Sequence, residues 1–497
     1  MTYPELISFC KPISIEGSAP KEIGMLCQDS RKVTPGDVFI AIKGLTSNGH
    51  TFIESAIKNG ASVVISEKEV KSRINDTAVL VVDDTRLLIG PLAQRMAGNP
   101  ADRLTIAGVT GTNGKTTVST LIWQALTKLG QPASLLGTVE KRFNKKAGDS
   151  ELTTADPVEI AQDMKQMVQV GSKFLVMEVS SHSLEQKRTD GIPFYIAVFT
   201  NLSHDHLDYH ETMDRYASAK KKLFDSVNTS GWVISNFDDP LGEWITSDTC
   251  ARVLGISFEK QATVHANIMR SDTKGTQIDI ENLQLKTPLI GTFNAYNVVQ
   301  ALIACTALGF DGIHVAKALE SCTGAPGRME RVNNVENLEQ EPVVIVDYAH
   351  TPDALKNVSK TLSDLKENTQ NLVIVFGCGG DRDKSKRPEM AKIAAEFADR
   401  IIVTSDNPRT EDPEAIIEDI LKGFDDKSTV NRIPLRRDAI NHAISEASAT
   451  DIVLIAGKGH ETYQEINGFR NHFDDREIAR QALAARAPSS AKTRGGN

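Results

Sequence analysis

Two features of the 497-residue sequence predict an α/β protein of three domains. Short β-branched runs alternate with helical patterns, and almost every run leaves into a polar loop, which is the pattern of parallel sheets crossed by helices. The length itself corresponds to three domains of ordinary size. With 40% hydrophobic and 24% charged residues, each domain has enough apolar side chain for a core.

In the N-terminal part, Val38–Ile42, Ser62–Ile65 and Ala78–Val82 read as strands, and Asn99-Pro100 then breaks the pattern. A second series follows, with strands Leu104–Val109, Phe174–Val179 and Ala197–Asn201. The Gly/Pro hinge Gly324-Ala325-Pro326-Gly327-Arg328 introduces a third series: Val343–Val346, Leu372–Phe376, Ile401–Thr404 and Ile452–Ala456. The expected domains are 1–99, 100–330 and 331–497. The small, polar tail from Pro488 to Asn497 reads as disordered.

A formal charge of -9 argues against a general nucleic-acid binder, although local basic loops can still hold anionic substrates. There is no run of about 18 apolar residues to span a membrane. The opening MTYPELISFC lacks the basic flank and apolar stretch of a signal peptide. Cys10, Cys27, Cys250, Cys305, Cys322 and Cys378 are scattered without a CxxC pair, as expected of reduced thiols in a cytoplasm. A cytoplasmic monomer is the expectation.

The strongest local signal is Gly108-Val109-Thr110-Gly111-Thr112-Asn113-Gly114-Lys115-Thr116-Thr117, between an apolar strand and a helix running to about Leu129. Glycines let backbone N–H groups wrap phosphates, and the helix N-terminus adds its positive end. Lys115 would reach the β- and γ-phosphates of ATP and Thr116 would hold magnesium. Val109 stands where the strict pattern has glycine, so the loop is a GxxGxxGKT variant.

Glu178, ending a strand and followed by Ser180-Ser181-His182, suits either a magnesium ligand or the cap of the next helix. Asn201-Leu202-Ser203-His204-Asp205-His206-Leu207-Asp208-Tyr209-His210 has the composition of a metal site, though histidine suits zinc better than magnesium. Tyr216, Lys220 and Phe224 share a helix face by their spacing. Composition alone reads Lys220-Lys221-Lys222 as a solvated basic turn.

GTNGKTT, MEVSSHSL, NLSHDHLDYH, Tyr216-Ala217-Ser218-Ala219-Lys220 and the later loops resemble, in fixed order from Asp29 to about Glu477, the Mur ligase family. The resemblance implies an N-terminal UDP-binding domain, a central ATP-binding ligase domain and a Rossmann-like C-terminal domain. It implies an ATP- and Mg2+-dependent ligase of peptidoglycan synthesis, adding meso-diaminopimelate to the D-glutamate of UDP-N-acetylmuramoyl-L-alanyl-D-glutamate through an acyl phosphate. Lys115, Lys220 and His206 would be catalytic, and Gly111, Thr112, Asn113, Gly114, Thr116, Thr117, Asn294 and Asn297 would bind ATP. Glu178, His206, Thr116 and Lys220, carbamylated to N6-carboxylysine, would hold metal.

Ser30, Thr153, Thr154, Ser180, Gln186 and Arg188 would bind the UDP-dipeptide. Arg382, Asp406, Asn407, Pro408, Arg409, Gly457 and Glu461 would bind diaminopimelate. Residue by residue, blander readings stand beside these: an ST-turn at Ser30, an Asn-rich turn before a helix at 294–297, and a turn before Thr410 at Asp406-Asn407-Pro408-Arg409. Thr351-Pro352 reads as a helix cap and first residue. Gly377-Cys378-Gly379-Gly380-Asp381-Arg382 lacks the third glycine of a dinucleotide fingerprint, which weakens an oxidoreductase reading. The alternatives are an L-lysine-adding homologue, a folylpolyglutamate synthetase-like ligase and a non-catalytic nucleotide-binding regulator.

Overall fold

The apolar runs become the strands of three sheets. The structure is a computed structural model, and it describes residues 1–44, 47–70, 77–144, 146–148, 150, 152–333 and 341–486. The tail expected to be disordered, Pro488–Asn497, lies outside the described residues.

In the N-terminal sheet, Ala78–Val81, Val63–Ser66, Val38–Ile40 and Leu26–Cys27 run parallel, and Ser14–Glu16 closes one edge antiparallel. Val63–Ser66 and Ala78–Val81 are buried at every position, because apolar clusters cover both faces of this sheet. The helix Thr85–Ala97, capped by the Asp84 carboxylate on the Leu87 N–H (2.9 Å), packs against Pro157–Gln169.

The central sheet is parallel through Arg252–Ser257, Trp232–Asn236, Phe194–Phe199, Thr105–Thr110, Phe174–Glu178 and Ala133–Leu136. Thr105–Thr110 lies between Phe174–Glu178 and Phe194–Phe199, so the exits of these three neighbouring strands face one crevice, where ligands of such sheets bind.

The C-terminal sheet has the order Glu330–Val332, Val343–Asp347, Ile452–Ala456, Leu372–Phe376, Arg400–Val403, Val430–Arg432, parallel except for the first strand. The three loops that carry Arg382, Asp406–Arg409 and Gly457 with Glu461 leave the same edge of this sheet. By packing, the chain divides into two units: 1–266 with 299–318, and 267–298 with 319–497.

Arg436 and Asp475, both 0% exposed, form a two-pronged ion pair at 2.8 and 2.7 Å beneath the C-terminal sheet edge. The guanidinium also donates to the Ala456 carbonyl (2.9 Å). Removing Asp475 leaves the Arg436 charge buried with only a long 3.9 Å contact to Asp406. Asp475→Ala is therefore expected to lower unfolding free energy by about 3–5 kcal/mol, measured by chemical denaturation.

Candidate active site

Thr105–Thr110 turns through Gly111 into the helix Lys115–Lys128. Gly111 has φ +149°, and a Cβ there would lie 1.9 Å from Thr200 Oγ1, so the loop admits only glycine. The exit of the neighbouring strand braces the loop. Asn201 accepts from the Thr112 N–H through its carbonyl (2.8 Å) and from the Asn113 N–H through its side chain (3.0 Å). Thr200 Oγ1 donates to the Asn113 carbonyl (2.5 Å). No side chain caps the helix at Gly114, which leaves its first N–H groups for an anion.

Lys115 Nζ donates to the carbonyls of Gly111 (3.0 Å) and Thr112 (2.9 Å). Lys220 Nζ donates to the same Gly111 oxygen (2.8 Å) and lies 4.5 Å from the centre of the Tyr216 ring. The solvated-turn reading of the lysine run is thereby overturned at Lys220, which is only 1% exposed. The helix Met213–Asp225 is amphipathic, and Tyr216, Lys220 and Phe224 line its buried face as their spacing predicts. Lys221 pairs with Asp225 and Asp248, and Lys222 lies at the surface with Glu185. Burial, and then the charge of Lys115, push the Lys220 amine well below the usual lysine range.

Glu178 ends its strand fully buried. Its oxygens accept from Thr116 Oγ1 (3.0 Å), Thr138 N–H (2.7 Å) and Thr138 Oγ1 (3.0 Å). Among the described residues no cationic side chain forms an ion pair with it. A buried carboxylate beside a threonine hydroxyl is an oxygen donor set suited to a small divalent cation such as Mg2+. The cap reading of the following residues also holds, since Ser180 Oγ accepts from the Ser183 N–H (3.1 Å).

The His/Asp-rich segment does not gather into one cluster. His210 is buried with Nε2 2.9 Å from Ser181 Oγ, while His206 is half exposed, 3.5 Å from Asp205. Among the described residues no three His, Cys, Asp or Glu side chains converge as around a metal. His206 has φ +53° and sets its ring edge-on to His182 and Tyr216.

The residues expected at the dipeptide form one network joined to Glu178. Thr138 Oγ1 donates to Thr153 Oγ1 (3.0 Å), while Thr154 Oγ1 donates to the Glu178 carbonyl (2.9 Å) and accepts from the Ser180 N–H (3.0 Å). Arg188 donates to the Thr154 carbonyl (2.8 Å) and twice to Gln186 Oε1 (3.1 and 2.7 Å). Among the described residues no carboxylate forms an ion pair with Arg188, so this partly buried cation suits an anionic ligand. Ser30 is buried, and the turn there is made by Asp29, whose carboxylate accepts the Arg31 N–H (3.0 Å), not by an ST-turn at Ser30.

In the second unit, Asn294 and Asn297 lie inside the helix Thr292–Ala307 and not in a turn before it. Asn294 Nδ2 donates to the Ile290 carbonyl (2.9 Å) and Asn297 Nδ2 to Asn294 Oδ1 (3.0 Å).

Asp406, Asn407, Gly457 and Glu461 are brought together around Lys458, a fully buried residue outside the expected set. Lys458 Nζ donates to Asn407 Oδ1 (3.0 Å) and Glu461 Oε2 (2.9 Å), and Asn407 Nδ2 donates to the same Glu461 oxygen (2.8 Å). Asp406 Oδ2 is buried without a hydrogen-bond partner. A Cβ on Gly457 (φ +121°) would come within 2.6 Å of that oxygen, which accounts for glycine there.

Arg409 has φ +51° and donates from Nη1 to the Gly380 carbonyl (2.8 Å). Its backbone is held by the hairpin Tyr463–Ile466 and Phe469–His472, donating to Glu465 O (3.0 Å) and accepting from Asn467 N (2.7 Å). Pro408 accepts the Glu411 N–H (3.0 Å), and Arg382 is exposed on the facing loop. Thr138 and Thr200 carried no signal in the sequence, and Asn201 stood out only as the start of the His/Asp-rich segment. Lys458 lies in a visible Gly-Lys-Gly context.

An anion-ready phosphate loop, a buried carboxylate beside it and loops of both charge signs define an ATP-dependent ligase. Three family models match the chain: "Mur ligase family, catalytic domain" over residues 22–96, "Mur ligase middle domain" over 109–305, and "Mur ligase, glutamate ligase domain" over 327–459. The UDP-N-acetylmuramoyl-L-alanyl-D-glutamate--2,6-diaminopimelate ligase of Phocaeicola vulgatus is 39% identical over 472 residues, covering 95% of this chain and 97% of its own. A solved structure of a ligase with that same name superposes with TM-score 0.72 at 36% identity, over 98% of this chain and 99% of its own. A folylpolyglutamate synthase of Mycobacterium tuberculosis, complexed with ADP and AMPPCP, shares the fold at 20% identity and TM-score 0.59, over 81% of this chain and 96% of its own. The chain belongs to the Mur ligase family.

His182 is held down to about 4 by burial first, then by the nearby His206, His210 and Arg188. A histidine whose folded pKa lies below its unfolded one takes up its proton later on acidification than the unfolded chain does. Its contribution to stability is complete above about 6.5 and is lost as pH falls toward about 4. NMR titration of the imidazole is expected to show it neutral at pH 5.5.

Proposed function

We propose that this chain joins meso-diaminopimelate to the D-glutamate carboxyl of UDP-N-acetylmuramoyl-L-alanyl-D-glutamate, consuming ATP and releasing ADP and phosphate, in the cytoplasm. The observation that supports the amino-acid choice most is Arg409, anchored through Gly380 with a left-handed backbone in the Asp406-Asn407-Pro408-Arg409 loop. The reaction runs in two steps. A D-glutamate carboxylate oxygen attacks the γ-phosphorus of ATP, the bond to the bridging oxygen breaks, and ADP leaves an acyl phosphate. The free amine of diaminopimelate then attacks the acyl carbon, and the tetrahedral intermediate collapses with loss of phosphate and a proton.

The chain's own work is positioning and charge. Lys115 turns from the Gly111 and Thr112 carbonyls to the β- and γ-phosphates. Arg188, Thr153, Thr154, Ser180 and Gln186 hold the dipeptide near Glu178, and Ser30 contacts the uridine end. Asn294 and Asn297 serve the nucleotide. Thr116, Glu178, His206 and the modified Lys220 would hold Mg2+, which supplies neutralisation of phosphate charge.

The environment of Lys220 favours that modification. Burial and the charge of Lys115 favour the neutral amine, which can attack carbon dioxide, forming an N–C bond and losing a proton, so that an anion comes to stand beside Lys115. Lys220→Ala is expected to be folded and nearly inactive, with partial recovery on adding short carboxylic acids. The exposed Lys222→Ala is expected to stay near wild type. Activity in Lys220→Ala equal to wild type would reject the role.

The amino-acid choice is tested by phosphate release with the UDP-dipeptide and either meso-diaminopimelate or L-lysine. Lysine lacks the distal carboxylate and leaves Arg409 with only the Gly380 carbonyl and a 3.9 Å contact to Glu465, and sites built on charged pairs can discriminate by roughly 10⁴-fold. Arg409→Ala is expected to lose about 1.5–3 kcal/mol in kcat/KM for diaminopimelate, the scale of a hydrogen bond to a charged group. A wild-type preference for lysine would sink the amino-acid assignment and leave the ligase.

A further inference from the structure

Arg387, in the first turn of the helix Lys386–Phe397, is 0% exposed, an expensive place for a guanidinium. Its Nη1 donates to Asp419 Oδ2 (2.9 Å) and its Nη2 to Glu411 Oε1 (2.9 Å), while its Nε has no hydrogen-bond partner. Glu411 Oε1 also accepts the Asp381 N–H (2.6 Å), and Lys384 lies 3.0 Å from the other oxygen. The Arg387 bonds first, then the Asp381 N–H, hold the Glu411 carboxyl down at about 2.

These contacts stitch two loops together. Asp381, with φ +53°, accepts from Thr410 Oγ1 (2.7 Å) and the Thr410 N–H (3.2 Å). The Gly380 N–H donates to the Asn407 carbonyl (2.9 Å), and Arg409 returns to the Gly380 carbonyl. One loop carries Arg382 and the other carries Arg409. Glu411 is where the helix, the first loop and the second loop meet, because its own N–H donates to Pro408 O (3.0 Å).

We infer that Arg387 and Glu411 form a positioning pair that sets the spacing of Arg382 and Arg409, and so governs affinity and selectivity for the amino-acid substrate. This rests on the proposed function, in which these two arginines bind that substrate. Stability alone would be served as well by an apolar side chain at 387, since buried ion pairs are often replaceable by packed hydrophobes without loss. A guanidinium brings what a hydrophobe lacks, which is fixed directions for both acceptors.

The test uses the full chain with Arg387→Lys and Glu411→Gln, measuring kcat and KM for meso-diaminopimelate, ATP and the UDP-dipeptide, together with the preference over L-lysine. The expected result is a KM for diaminopimelate raised about tenfold or more, the scale of one charged hydrogen bond. The preference over lysine falls with it, while kcat and the other two KM values stay within about twofold. Thr410→Val, which cuts the Asp381 link without touching Arg387, moves the same KM in the same direction by less. Should Arg387→Lys fail to fold, Glu411→Gln, at the partly exposed end of the pair, carries the test. A folded Glu411→Gln with an unchanged KM for diaminopimelate, or with all three KM values raised alike, overturns the positioning role. Absence of wild-type turnover with diaminopimelate overturns the proposed function instead.

Discussion

Two lysine nitrogens converge on one carbonyl oxygen, that of Gly111, and most of the central site follows from this crowding. Lys115 is partly exposed. Lys220 is not, because its helix buries it between Tyr216 and the loop. Like charges at close range in a poorly solvated place repel strongly, so the site is electrostatically incomplete by itself. In the proposed reaction it becomes balanced when anions arrive: phosphate for one lysine, a carboxylated nitrogen for the other. Among the described residues the carboxylate of Glu178 accepts from threonine side chains and a backbone N–H, and through Thr116 it is joined to the helix that Lys115 begins.

Much of the fold could be read in advance because parallel strands buried on both faces are written as unbroken apolar runs. Val343–Asp347, Leu372–Phe376 and Ile452–Ala456 were legible to within a residue for that reason. Strands such as Ala133–Leu136 and Trp232–Asn236 were not, because serine or asparagine dilutes the run and nothing local marks the ends. The phosphate loop was legible since its glycines answer a local steric demand. Lys220 was not legible from composition: three consecutive lysines look alike, and only the helix phase decides that one is interior, one nearly so and one wet.

Bonding inside the C-terminal loops separates two kinds of residue that a motif runs together. Asn407 uses its side-chain oxygen on Lys458 and on the Glu465 N–H, and its amide on Glu461, so its side chain is engaged within the loops. Asp406 keeps a buried oxygen without a hydrogen bond, 3.9 Å from Arg436, and Arg409 projects toward the opposite loop. The sequence spells these side by side, and only the three-dimensional bonding assigns them to different tasks. Long-range partners such as Asp475 for Arg436 escape sequence reading altogether, since nothing local announces a neighbour 39 residues away.

The hairpin that clasps Arg409 gives the proposed amino-acid site a remote handle. A non-glycine residue in the left-handed region stores strain, and here the Glu465 carbonyl and the Asn467 N–H hold it in place. Both sit next to a surface turn that touches no chemistry, where insertions and drift are ordinarily tolerated. In this architecture that tolerance ends at the hairpin, because its length and register set where the Arg409 backbone is held. A change in the hairpin would therefore move Arg409 without altering the motif itself.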